Sequence, residues 1–223
     1  LRDIGHELRT PIAKGKFAVE KIDNFLQKEL LKKIFFDLER LTNELIELEK
    51  LNITKLKLTT FSAETLILDS LGKLYLEDEK KIEINIYEDF KIEADLYYLS
   101  IALKNLIDNA LKYTTSFPII LEVSKNKISI SNKGEKLVKD FEHYLKPFTQ
   151  ELAQRDGFGL GLSIVKKVLD RHNFRLLYNF ENGINTFKIL LWTIKTVSMD
   201  TKSKKQIIKN KREISLFYFI FKR

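Results

Sequence analysis

Apolar residues recur at helical spacing over the first fifty positions. Ile4, Leu8, Ile12 and Val19 fall roughly on one side of a helix predicted over 1–22. Pro11 lies inside it and is expected to kink it, because proline has no N–H and its ring crowds the preceding turn. Asp23 and Asn24 suit a turn. A second helix follows to about Leu51, with Leu31, Ile34, Leu38, Leu41, Leu45 and Leu48 spaced as a heptad seam between charged flanks. Two such helices cannot bury both seams alone. The hairpin is expected to pair with a second copy as a four-helix bundle, packing onto the rest of the same chain being the alternative.

Past this hairpin the period changes. Residues 55–60 read as a short strand, and Ser62 as the N-cap of a helix reaching about Leu76. Alternation over 81–87 predicts a strand, with another short one at 90–93. The most apolar helix spans 96–113. Strands 119–123 and 127–131 make a hairpin across Lys125-Asn126. Residues 134–157 show weak periodicity over a length that suggests a functional lid. A helix at 161–172 and a last hairpin, 174–180 with 186–191 around Glu181-Asn182-Gly183, complete the pattern. The packing expected is α+β, a mixed sheet with helices on one face.

Composition sharpens this in three ways. At 223 residues, 44% hydrophobic and 31% charged, the chain is globular and holds one large domain or two small ones. It has no cysteine, which excludes disulfides and thiolate metal sites, and His6, His143 and His172 are scattered. The net charge of +8 is carried by residues 193–223, which hold nine Lys/Arg against two acidic residues and leave the rest near neutral. No nucleic-acid face is therefore indicated. That tail ends in SLFYFIFKR, and disorder or an adventitious helix is expected there. The domains predicted are 1–53, 54–192 and the basic tail 193–223. No run of about 18 apolar residues exists to span a membrane. The chain opens at Leu1 within a helical pattern, as the C-terminal piece of something longer would.

Three stretches carry candidate chemistry. In HELRTP, residues 6–11, His6 and Thr10 share a helical face and Glu7 flanks the ring, so the imidazole can serve as a nucleophile whose proton a carboxylate takes. A capped, solvated helix start is the bland alternative. In NLIDNALKYT, Asn105, Asn109 and Lys112 line one face, a set suited to a divalent cation clasped with phosphate oxygens. Two surface asparagines on an amphipathic helix would look the same. In GFGLGLSIVKKVL, Gly157, Gly159 and Gly161 alternate around Leu160 before a helix, letting backbone N–H groups approach anionic oxygens beside a helix start. Arg155 just before them reaches toward a terminal phosphate or stands as an exposed lid arginine.

In order and spacing, these three stretches resemble the H, N and G2 boxes of bacterial sensor histidine kinases, over residues 1–192. KPFTQ, 146–150, is similar to the F box, in which Phe148 would pack the lid. The resemblance implies a phosphoacceptor and dimerisation hairpin followed by a Bergerat-type α/β sandwich that binds ATP and Mg²⁺. It implies that His6 is the phosphoacceptor, Glu7 the acid beside it, and Thr10 the residue that orients water in dephosphorylation. Asn109 would be the Mg²⁺ ligand with Asn105 beside it, Lys112 a phosphate contact and Tyr113 a wall of the adenine pocket. Gly157, Gly159 and Gly161 would turn around the phosphates, and Thr186 would lie near the adenine floor. The partners implied are a response-regulator receiver domain and a second copy of the chain. The implied location is the cytoplasmic part of an inner-membrane protein anchored by segments upstream.

One box departs from the pattern. Where the family has Asp-x-Gly-x-Gly, this chain has Asn132-Lys133-Gly134-Glu135-Lys136. A carboxamide oxygen still accepts the adenine amino hydrogen, without charge assistance, a loss of about 1–2 kcal/mol. A pseudokinase that holds ATP poorly is the alternative this raises. Another ATPase of the same fold, such as a chaperone or repair protein, is a third reading, against which the His6 box speaks.

Overall fold

The computed structural model describes residues 2–74, 78–149 and 158–191, with side chains from Leu8 onward except that of Glu79. Helices α1 (Arg2–Val19) and α2 (Phe25–Ile53) form an antiparallel hairpin, and Pro11 sits within a continuous α1. Asn24 caps α2, its Oδ1 accepting the Gln27 N–H at 3.1 Å. Arg9 donates to Asn43 Oδ1 at 2.9 Å and Lys16 pairs with Glu39 at 2.8 Å across the hairpin. A Cβ on Gly15 would lie 2.2 Å from the Phe35 ring, so glycine is what lets α2 lay that ring on α1. Ile12 and Val19 are buried, whereas Leu8, Ile34 and Leu38 stay exposed along with Phe17, Phe25, Leu26 and Leu30. The seam is thus only partly covered within one chain. No helix among the described residues is long and apolar enough to cross a membrane.

The rest is an α+β sandwich. A five-stranded mixed sheet has the order β2-β4-β5-β7-β6, built from β2 (Ile82–Ile86), β4 (Ile119–Ser124), β5 (Lys127–Lys133), β6 (Arg175–Glu181) and β7 (Ile184–Leu190). Only the β2–β4 pairing is parallel. Alternate residues Ile119, Leu121, Val123, Ile128, Ile130, Phe187 and Ile189 are buried on one face, as period-2 geometry requires. Helices α3 (Ala63–Gly72), α4 (Leu96–Tyr113) and α6 (Gly161–Arg171) form the helical layer. The hairpin turns have φ > 0 at Lys125, Asn126, Asn182 and Gly183, in keeping with two-residue connections.

Two expectations are corrected. The strand predicted at 55–60 lies at β1 (Thr59–Ser62), which pairs antiparallel with β3 (Lys91–Ala94) in a separate two-stranded sheet. Ser62 serves both elements, ending β1 and accepting the Thr65 N–H at 3.0 Å as the cap of α3. Helix α3 stops at Gly72 rather than near Leu76, with Lys73 as its C-cap.

A polar node joins three parts of the fold. Asp95 caps α4, its Oδ1 taking the Tyr98 N–H and its Oδ2 the Lys57 N–H at 2.8 Å. Its own N–H donates to His172 Nε2 at 3.0 Å, and His172 Nδ1 bonds Val168 O at 2.7 Å. This fixes a neutral ring that donates from Nδ1 and accepts at Nε2. Burial lowers its pKa from the ordinary 6.5. The unfolded chain titrates at the ordinary value, so this stability is full above pH 6.5 and falls as pH drops from there through the lowered folded value. His172→Gln is expected to cost about 1–3 kcal/mol at neutral pH. It should also flatten the slope of unfolding free energy between about pH 5.5 and about pH 7.5. Urea unfolding at both pH values checks this, and an unchanged slope would contradict it.

Candidate functional site

Helix α4 positions the polar residues by burying its other face. Leu99, Ala102, Leu103, Leu106, Ile107 and Ala110 are essentially inaccessible, packed toward the sheet and α6. The 3.6-residue period then sets Asn105, Asp108, Asn109 and Lys112 on the open side, where they line one cavity of about 370 Å³. Asp108 is paired with Lys104. Lys112 Nζ lies 5.0 Å from the Tyr113 ring centroid, and both residues line the cavity.

The facing wall is the start of α6. Its N-cap, Leu160, is buried and has no polar side chain, so the cap residue itself supplies no acceptor to the first N–H groups of the helix. Gly159, Leu160 and Gly161 all line the cavity. A Cβ placed on Gly161 would stand 3.8 Å from Asn105 Oδ1 and 3.9 Å from Asn109 Nδ2, which measures how closely the helix start faces the two carboxamides. Gly159 has φ +68°, and a Cβ there would fall 2.5 Å from Thr149 O. The turn therefore depends on glycine for both conformation and space.

The far end of the cavity is made by the sheet. Asn132 of β5 is buried, lines the cavity and donates to Lys133 O at 3.2 Å. Asn185, its register partner on β7, takes the Tyr178 hydroxyl at 2.6 Å and donates to Glu135 O at 3.0 Å. Gly134 lies beside the cavity rather than in its lining: a Cβ there would stand 2.9 Å from Tyr113 O. Thr186 is not at the floor. Its hydroxyl pairs with Ser131 at 3.0 Å, because strand alternation sends it to the opposite face from Asn185 and Phe187, which do line the cavity. Asn185 was one position away from the threonine singled out in the sequence, and only the register distinguishes them.

The lid root holds α5 (Phe141–Tyr144), where Phe141 stacks on Tyr178 with centroids 5.3 Å apart. Phe148 is 63% exposed and does not pack down as expected. Arg155 and Gly157 lie outside the described residues, as does the tail. The backbone of α1 carries His6 and Glu7, whose side chains are also outside the description, and Thr10 is exposed on the same helix.

Sequence reasoning missed two residues of α2, Arg40 and Glu44, which line the same cavity. Burial raises the Glu44 pKa above the ordinary 4.5, and the charges of Arg40, Lys104 and Lys112 act in the other direction. Their charged positions beside the heptad seam read as solvated flanks, since nothing local announces the approach of α4.

Residues 94–195 match the domain family described as histidine kinase-, DNA gyrase B- and HSP90-like ATPases. Over 196 residues the chain is 36% identical to the sensor histidine kinase ArsS of Helicobacter pylori, covering 85% of this chain and 45% of that protein. The chain belongs to the sensor histidine kinases. It spans about half the length of the curated relatives it matches. The fold is also that of the histidine kinase AdeS of Acinetobacter baumannii, with a TM-score of 0.61, 23% identity, and coverage of 86% of this chain and 98% of that one. Full-length ShkA, solved in complex with AMPPNP, aligns with a TM-score of 0.65 and 22% identity over 87% of this chain and 46% of its own. This histidine kinase chain therefore carries an ATPase-type sandwich whose cavity is lined by the N-box helix and the glycine turn.

The glycine turn supplies a direct check. Gly159→Ala is expected to lower unfolding stability by about 1–2 kcal/mol, from the left-handed backbone and the Thr149 clash. Gly72→Ala, with nothing within 4 Å of the added carbon, is expected to be neutral or stabilising. Thermal or urea unfolding of the two variants measures the contrast, and equal effects would remove the close approach at Gly159.

Proposed function

We propose that this chain binds Mg-ATP in the α4/α6 cavity, phosphorylates His6 and passes the phosphoryl group to an aspartate of a response-regulator receiver domain. The observation that carries this reading is the meeting of Asn105 and Asn109 with the start of α6, whose cap residue supplies no side-chain acceptor, across one cavity. Oxygen donors on one side and backbone N–H groups on the other fit the phosphates and a hard cation. Among the described residues no cluster of three His, Cys, Asp or Glu side chains can hold a metal, so the cation would rest on Asn109, with Asn105 beside it, and on phosphate oxygens. A bound Mg²⁺ would supply charge neutralisation at those oxygens.

The chain's own residues do the positioning. Lys112 adds a cation at the phosphate side, Tyr113 walls the base, and Asn132 accepts from the adenine amino group. Gly134 permits close packing beside Tyr113, Gly159, Leu160 and Gly161 face the phosphates, and Arg155 and Gly157 are assigned to the phosphates with them on the family's motif alone. On α1, Glu7 takes the ring proton while the imidazole of His6 attacks the terminal phosphorus and ADP leaves. Thr10, four residues on, orients water when the phosphorylated regulator is hydrolysed. The antiparallel hairpin supports this assignment. Arg9 bonds Asn43, so His6, less than one turn earlier, lies level with α2 residues just beyond Asn43, next to the cavity residue Glu44.

We further assign residues 1–53 to dimerisation and phosphotransfer and 54–192 to catalysis. A second copy would cover the exposed Ile34 and Leu38 in a four-helix bundle. The parent protein would be anchored in a membrane by segments upstream, with this core on the cytoplasmic side. Asn132 in place of the family's aspartate favours one other reading, a pseudokinase with weak nucleotide binding.

Incubation with γ-labelled ATP separates these readings. Acid-labile, base-stable label is expected on the wild type and absent from His6→Gln, and label that survives the substitution would end the assignment. Asn109→Ala is expected to abolish labelling while sedimentation still reports a dimer. Absence of saturable Mg²⁺-dependent binding of an ATP analogue to the wild type would favour the pseudokinase.

A further inference from the structure

Arg40 belongs to none of the three motifs, yet its position on α2 brings it to the cavity wall. Its guanidinium carbon stands 5.2 Å from the centroid of the Phe158 ring. Phe158 immediately precedes Gly159, so Arg40 sits at the glycine-turn end of the cavity and not at the Asn132–Asn185 end. Among the described residues its ion-pair partner is Asp37, 3.7 Å from Nη2 and outside hydrogen-bonding distance. The Nε atom is buried and has no hydrogen-bond partner among the described residues. Glu44, one turn further on, faces Lys104 and Lys112 as well as Arg40 and does not accept that N–H. A buried guanidinium donor without an acceptor is costly, and an anionic oxygen in the cavity would satisfy it.

We propose that Arg40 is a ligand of the nucleotide's phosphate chain contributed by the helical hairpin, acting on the phosphates beyond the first. This rests on the nucleotide reading of the cavity given above. The fork of an arginine matches phosphate oxygens in pairs, which a lysine cannot reproduce. Stacking on Phe158 holds the guanidinium in place before the ligand arrives. The phosphate chain then touches α2, α4 and the start of α6 at once, so triphosphate binding also fastens the hairpin to the sandwich.

The test is a binding titration of the full chain, with Mg-ATP and with AMP, for the wild type, Arg40→Ala and Arg40→Lys. Arg40→Ala is expected to weaken Mg-ATP binding by about tenfold or more and AMP binding by less than about twofold. Arg40→Lys is expected to fall between, keeping the charge without the fork. Thermal melting confirms that the variants fold, and if Arg40→Ala does not, Arg40→Lys against the wild type decides by the same ATP-to-AMP ratio. An unchanged Mg-ATP affinity, or equal losses for both nucleotides, overturns the assignment of Arg40 alone. A wild type that binds neither nucleotide overturns the cavity reading, and this assignment with it.

Discussion

The burial of one face of α4 is the constraint from which the site follows. Leu99, Leu103, Leu106 and Ile107 have essentially no exposed surface, and each buried aliphatic side chain contributes on the order of 1.5–3 kcal/mol. With that face committed to the sheet and to α6, the helix has no rotational freedom left. Asn105, Asn109 and Lys112 must then stand on the open side. The same packing brings Gly161 so near both carboxamides that a Cβ added there would already be in van der Waals contact with them.

A second set of contacts joins the hairpin to this sandwich through backbone ends. Lys167 donates to Leu48 O at 3.1 Å and Arg171 to Leu51 O at 2.5 Å, placing two cations of α6 on the last carbonyl groups of α2. Leu51 O is one of the last four carbonyls of α2 and has no partner within the helix, and both cations stand near the negative end of its dipole, so the pairing serves hydrogen bonding at Leu51 and charge at both. Burial and the charge of Glu47 on α2 raise the pKa of Tyr97 at the start of α4 to about 12, keeping its hydroxyl protonated. Nearer the cavity, Arg40 over Phe158 repeats the theme with a ring in place of a carbonyl. Contacts of this kind are polar and partly exposed, individually weak, and easily exchanged. They differ in this from the apolar seam within the sandwich.

The polar node at Asp95 shows how the stretch between α2 and β1 is held. One carboxylate caps α4 and takes the Lys57 N–H, while its backbone donates to a neutral His172 at the end of α6. The stretch between α2 and β1, the start of α4 and the end of α6 therefore share one set of hydrogen bonds. Losing any member leaves the others unsatisfied in a low-dielectric setting.

Much of this was legible in residue order. Period and capping residues determined both long helices, the apolar helix 96–113, the hairpin turns and the α+β layering, because each is a local preference reinforced by burial of one face. The resemblance carried by the motifs implied that Asn105, Asn109 and the glycine turn serve one nucleotide site. Strand partnership was not local: β1 left the main sheet to pair with β3, and register alone sent Asn185 inward and Thr186 outward. Nor could the helix pattern reveal Arg40 and Glu44, since a charged flank becomes a cavity wall only when another element is laid against it. The sequence determined what each segment prefers to be, and tertiary structure decided which surfaces face each other, because that choice is made by long-range packing rather than by any preference within a segment.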